Sequence, residues 1–270
     1  MEEKLILVLS KHRRFGWKFN IHWAREQADE NVEILGAPQA NEMGLNEIDE
    51  VNVKLIKLID GVSDASLMRS YSKQTNILDF MAEVTQHTID KLIRPRIEIN
   101  NRKVIQAALQ TSLPVYLRES VSYKILYPRF RIELLPSTTL CQFNFIKDAA
   151  GLRYYISLTN EESEISLQSK PAFILSEEPC VILLGNQIHR VEHIGANKLT
   201  PFFDKKHITV PASAETKYIQ RFILKTLPKY EVKIEGIEMT EIFPTQQAVL
   251  VLEEDFFRQL TFFCYFQYNQ

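Results

Sequence analysis

Leu5-Ile6-Leu7-Val8-Leu9, then Lys11-His12-Arg13-Arg14-Phe15-Gly16, then Trp17-Lys18-Phe19-Asn20-Ile21-His22-Trp23: an apolar run, a basic turn, and a segment alternating apolar with polar. A short unbroken aliphatic run suits a buried strand, and period-two alternation suits a strand with one buried face. Residues 4–25 therefore read as a hairpin, with Trp17, Phe19, Ile21 and Trp23 on one face. Residues 26–45, rich in Asn, Gln, Glu and Gly, read as a loop carrying a short strand near Val32–Leu35.

Between Asn46 and Gln110 the period changes. Ile48, Val51, Leu55, Ile56 and Ile59 recur at three- and four-residue steps, with Asn46 as expected N-cap and Gly61 as expected stop. A second helix starts at Ser63 and a third at Thr75 or Asn76. Leu78, Met81, Ala82, Val84, Thr88, Ile89 and Leu92 carry the third as far as Pro95. Arg96 to Leu109 continues as a helix kinked from its predecessor.

Beyond Pro114 short β-branched and aromatic runs take over. They are Val115–Arg118, Tyr123–Tyr127, Arg131–Leu135, Thr139–Phe145, Arg153–Leu158, Ala172–Leu175, Cys180–Leu184 and Gln187–Val191, separated by Pro, Gly, Asn or Ser. Ser213-Ala214-Glu215-Thr216 begins like a capping box, and Tyr218, Phe222 and Ile223 follow at helical steps. Strands return at Glu231–Ile237, Ala248–Glu253 and Gln259–Tyr268. The expected class is α+β, with a helical subdomain in the first half and a mainly antiparallel β second half holding one inserted helix. The expected division is 1–112, hairpin plus helices, and 113–270, a β-rich subdomain. Because Gln259–Tyr268 is intensely apolar and the chain stops two residues later, the β-rich part is expected to be truncated and to continue in a longer protein.

The 270 residues are 45% hydrophobic and 24% charged, values of a folded globular chain. A net charge of −2 excludes a global pull toward nucleic acid or anionic membrane, so any such contact must be local. Cys141, Cys180 and Cys264 are odd in number, far apart and set among apolar neighbours, which reads as buried free thiols in a reducing compartment. Met1-Glu2-Glu3-Lys4 does not open a secretory signal, and no stretch nears the roughly 20 apolar residues of a membrane span. A cytoplasmic protein is expected.

The catalytic motifs are absent. With eight glycines the chain carries no Gly-Lys-Ser/Thr phosphate loop, no G-x-G-x-x-G, no G-x-S-x-G and no H-E-x-x-H. Ile48-Asp49-Glu50 looks like a magnesium-holding acidic pair, but Gly44-Leu45-Asn46-Glu47 precedes it where an apolar strand is needed, so a helix N-terminus is the better reading. His189 and His193 have the i, i+4 spacing of a helical metal site. On the strand that Gly185-Asn186 and Gly195-Ala196-Asn197 bracket, they would stand roughly 13–14 Å apart, too far to share an ion. No metal site is expected.

Three local basic clusters remain as nucleic-acid contacts: Lys11, Arg13, Arg14 and Lys18; Arg94, Arg96, Arg102 and Lys103; Lys205 and Lys206, followed by His207. Phosphates call for such charges with aromatics nearby, and Trp17, Trp23, Phe202 and Phe203 are close in sequence.

One stretch resembles a known family. Lys198-Leu199-Thr200-Pro201-Phe202, Ile208-Thr209-Val210-Pro211, Glu215-Thr216-Lys217-Tyr218-Ile219-Gln220-Arg221-Phe222 and Val232-Lys233-Ile234-Glu235-Gly236 follow in order, and Leu92-Ile93-Arg94-Pro95-Arg96-Ile97-Glu98 precedes them. Over about residues 76–236 this is similar to the region N-terminal to the motor in bacterial Swi/Snf-type (superfamily two) helicase-like DNA-dependent ATPases. The resemblance implies a non-catalytic accessory region that positions nucleic acid or regulates. Its partners would be the protein's own downstream motor and double-stranded DNA, at the nucleoid. The ATP and Mg of that family belong to the motor, and none of its catalytic residues maps here. The alternative is a protein–protein interaction module docking through residues 15–23 or 259–268. A stand-alone enzyme would instead need a deep pocket with converging carboxylates and His189.

Overall fold

The computed structural model describes residues 3–38, 49–160, 164–168 and 170–237, and the backbone of 245–254 and 260–269. The chain forms two compact units, Met1–Glu235 and Gly236–Gln270.

The first unit is organised on the hairpin. β1 (Glu3–His12) and β2 (Gly16–Glu26) pair antiparallel from Glu3↔Arg25 to His12↔Gly16. β1 is buried on both faces, which its aliphatic run requires. Leu5, Leu7 and Leu9 enter one core cluster with residues of α1 and α5 (below), and Ile6 and Val8 enter another with Ala24, Val32 and Tyr116. β3 (Val32–Gly36) follows on β2.

Three short helices come next: α1 (Glu50–Asp60), α2 (Asp64–Tyr71) and α3 (Ile77–Glu83). Ser63 and Asn76 cap α2 and α3 as expected, their side chains accepting from the N–H of Ser66 and Leu78. The cap of α1 is Asp49, accepting from the N–H of Val51. The expected Asn46 lies outside the described residues.

The helix expected to reach Pro95 is interrupted. It stops after Glu83, and Thr85 caps a new start that runs through α4 (Gln86–Thr88), a π turn (Ile89–Ile93) and α5 (Arg94–Ala108). The break is held by Arg14, whose guanidinium donates to the carbonyls of Met81 and, at 2.8 Å, Val84. Pro95 does not end a helix. In the π turn the N–H of Arg94 reaches back to Ile89, and this widening lets the backbone pass a residue with no N–H to donate. Arg14→Ala is expected to lower stability by about 2 kcal/mol, because two carbonyls lose a charged donor. Exposed Arg13→Ala should leave the urea midpoint unchanged.

β4 (Val115–Arg118) pairs parallel with β1, Leu7↔Val115. A parallel pair needs a long connection, and after β2 and β3 the helices from α1 to α5 complete it. They return to the sheet they left, so the expected boundary at 112/113 falls inside one compact unit. The sheet is completed by β5 (Ile125–Leu126), β6 (Arg131–Leu134), β10 (Ala172–Ser176), β11 (Cys180–Leu184) and β12 (Gln187–Val191). Its nine strands run β10-β11-β12-β6-β4-β1-β2-β3-β5. The strand expected over Tyr123–Tyr127 shrinks to β5.

A second sheet holds β7 (Leu140–Asp148), β8 (Gly151–Thr159), β9 (Glu164–Ser166), β13 (Ile208–Val210) and β14 (Glu231–Glu235), in the order β13-β8-β7-β14 with β9 also on β8. Between β12 and β13 lie α6 (Ala196–Leu199) and α7 (Pro201–Asp204). The inserted helix is α8 (Glu215–Tyr218), a π turn (Ile219–Ile223) and α9 (Leu224–Thr226), and it packs Tyr218 and Phe222 on Phe143, Phe145 and Tyr154. The capping box is not made. Glu215 instead accepts from the N–H of Leu152 and pairs with Lys147 at 3.0 Å. The helix start is thereby tied to β7 and β8 rather than to itself.

The class is α+β with mixed sheets. Most pairings are antiparallel, and β1–β4, β12–β6 and β14–β7 are parallel. The second unit is the hairpin β15 (Thr245–Glu254) and β16 (Leu260–Asn269), in register from Thr245↔Asn269 to Glu254↔Leu260. Among the described residues no helix is long and apolar enough to cross a membrane.

Candidate nucleic-acid interface

The sequence clusters of cations do not act as units. Lys18 is buried and forms a 2.6 Å ion pair with Asp64. Arg14 holds the end of α3. Arg94 pairs with Asp90 one helical turn back at 2.6 Å. Arg96 donates to Ser70 Oγ at 2.9 Å and to the Gly61 carbonyl at 2.8 Å, with its guanidinium over the Tyr71 ring. Arg102 donates to the Glu178 carbonyl at 2.6 Å. All of these but Arg94, whose partner is local, join elements distant in sequence. Lys11, Arg13, Lys103, Lys205 and Lys206 are exposed, with no ion pair among the described residues. Lys206 borders a cleft of about 400 Å³ with His207, Tyr155 and Arg153, the last paired to Asp148.

Three of the four aromatics near those clusters pack into or against the core, and Phe203 is half-buried. Trp17 packs on Phe173, ring centroids 4.8 Å apart, Trp23 packs on the same cluster, and Phe202 is buried.

Tertiary structure builds a different concavity. A groove of about 860 Å³ lies between α5, the β10–β11 turn, the end of β12 and α6. Arg102 from α5, Arg190 from β12 and Lys198 from α6 converge on it, and Glu178 and Glu192 also line it. Arg190 is anchored on the carbonyls of Leu135 and Pro136, and its Nε is buried without a partner. Lys198 donates to the Tyr230 hydroxyl at 2.9 Å and lies over that ring. Three permanent cations against two carboxylates favour an anion there. Arg102 belongs to an expected cluster; Arg190 and Lys198 do not. Each is a lone cation in its own stretch, and no periodicity relates residues 88 and 96 positions from Arg102.

The two histidines part company. His189 is wholly buried in β12, Nδ1 3.1 Å from Thr139 Oγ1 and Nε2 without a partner, and burial holds its pKa down at about 4. His193 lies beyond the strand with φ +61°, largely exposed beside Glu192. Among the described residues no group of three or more His, Cys, Asp or Glu is placed to hold a metal ion. Cys141 and Cys180 are buried free thiols, each pushed up to about 12 by burial, so they are poor nucleophiles at neutral pH. Asp49 and Glu50 form the start of α1, a helix N-terminus as the sequence suggests. The chain matches no family model, no curated protein and no solved structure.

Proposed function

We propose that this chain is a non-catalytic accessory region that positions nucleic acid for, or regulates, a Swi/Snf-type ATPase motor carried elsewhere in a larger cytoplasmic protein. The motor would be its partner and would hold the ATP and Mg. The observation that carries this reading is the groove where Arg102, Arg190 and Lys198 meet, with exposed, unpaired cations left elsewhere on the surface. Concave, cationic and lined with hydrogen-bond donors, it has the chemistry of a phosphate-backbone contact. The resemblance over residues 76–236 supplies the motor. Docking through residues 15–23 is the less favoured alternative, because Phe19 and Ile21 are buried in the main core and Trp17 and Trp23 pack half-buried against it.

Fluorescence anisotropy with a labelled DNA duplex across a salt series tests the reading. Wild type should bind with steep salt dependence, and Lys198→Ala should reduce the slope by about one and weaken binding several-fold. A chain without salt-dependent affinity for any nucleic acid would sink it.

A further inference from the structure

Four of the eleven exposed large hydrophobics among the described residues fall in one seven-residue stretch: Val121 (68% exposed), Tyr123 (53%), Ile125 (40%) and Tyr127 (44%). They fall at every second position, from the turn at Val121 through β5 to Tyr127, and of the residues between them Leu126 is buried while Ser122 and Lys124 are exposed. Scattered apolar exposure is ordinary, but four such side chains gathered on β5, at the end of the nine-stranded sheet, and on the segments that flank it are not.

The backbone of this stretch is held from the inner side. Arg118 donates to the carbonyls of Tyr123, at 2.8 Å, and Val121. The N–H of Tyr123 reaches Ser120, the N–H of Ile34 reaches the carbonyl of Lys124 at 2.7 Å, and β5 pairs with β3. With these groups engaged, the exposed side chains are presented on an ordered ribbon.

Cations flank the row. Lys124, Arg129 and Arg131 are exposed, and the Arg129 guanidinium stands 5.1 Å from the Tyr127 ring centre and 5.0 Å from that of Phe130. Glu33 lies opposite Ile125 on β3, and Arg131 acts electrostatically on Glu26, which leaves Lys124 and Arg129 as the freer charges. Aromatic faces with a cation already stacked on one of them, beside further cations, match bases and phosphates of an unpaired strand. A duplex hides its base faces.

We propose that Tyr123 and Tyr127, with Lys124 and Arg129, form a stacking platform for single-stranded nucleic acid. This rests on the nucleic-acid reading above and adds that the strand is unpaired here.

Anisotropy with labelled oligo(dT) and with a duplex of equal length separates the two claims. For the full chain, Tyr123→Ala with Tyr127→Ala should weaken oligo(dT) binding about tenfold or more while leaving duplex binding in place. The paired Phe variants should keep wild-type affinity, since a phenyl ring stacks as well as a phenol. Arg129→Ala should weaken oligo(dT) binding and reduce its salt slope by about one. Unchanged oligo(dT) affinity in the Ala pair, with duplex binding intact, overturns the platform alone. Wild type binding neither probe overturns both proposals. A wild-type dimer in sedimentation that the Ala pair dissolves would make the row a self-association surface and overturn the platform too.

Discussion

Asp64→Asn is expected to destabilise the chain by about 3 kcal/mol, read as a lower urea midpoint at unchanged slope. The Asp64 carboxylate meets Lys18 Nζ at 2.6 Å and His12 Nε2 at 3.4 Å. The Lys18 side chain is only 10% exposed, so the variant leaves an ammonium buried without its counter-charge. His12 is oriented for this contact: its Nδ1 accepts from the N–H of Arg14 and Phe15, which directs Nε2–H at Asp64. Burial pushes the Asp64 carboxyl up, but hydrogen bonds from His12 and Lys18 and the Lys18 charge outweigh it and hold the pKa at about 2. The contribution is therefore complete above the ordinary value of 3.8 and is lost as pH falls from there toward 2. Adding Lys18→Met should recover most of the loss, since removing both charges removes the buried ion. Equal stability of wild type and Asp64→Asn would show that the pair does not hold the turn to α2.

Acidification from pH 6.5 to about 4 is expected to cost up to roughly 3 kcal/mol through His189. Burial, then the charge of Lys170, lower its pKa, and Glu133 opposes them weakly. The sign follows from proton counts. Below 6.5 the unfolded imidazole takes up a proton that the folded one refuses until about 4, so stability falls across that window and levels below it. Protonation would place a charge at Nε2, which has no acceptor in its buried site. His22 acts in the same direction through burial and Arg118, whereas Asp60 and Glu98, both raised by burial, act in the opposite one. His189→Gln retains an amide for Thr139 and has nothing to titrate. Urea titrations at several pH values should show its slope shallower than wild type between 4 and 6.5. Identical slopes would assign the acid sensitivity elsewhere.

Local features of the fold were legible because their causes are local. Six consecutive buried positions from Leu5 to Ser10 follow from the aliphatic run, and the caps at Ser63 and Asn76 follow from side chains that reach their own backbone. The errors have local signals that distant groups overrode. Val84 reads as mid-helix until Arg14 takes its carbonyl, and Ser213-Ala214-Glu215-Thr216 reads as a self-capped helix start until Lys147 and the Leu152 N–H claim Glu215. Pro95 reads as a stop until a π turn absorbs it.

The sites divide the same way. A cluster of cations in sequence carries no information on which of them will find a carboxylate or carbonyl, and half of the ten expected contacts did. Tyr123 and Tyr127 bound a stretch that reads as one strand, whereas in the structure only Ile125–Leu126 pairs, at the end of the sheet, and both tyrosines are exposed. From its order of residues alone this chain determines an α+β class, a buried first hairpin, a helical middle and no known catalytic motif, since period and turn chemistry act over a few residues. Tertiary structure alone decided that the helices carry the chain from β3 back to β4 alongside β1, and that Arg102, Arg190 and Lys198 share one groove. Both join residues about a hundred positions apart, and such pairings are selected by the burial of whole faces rather than by any short pattern.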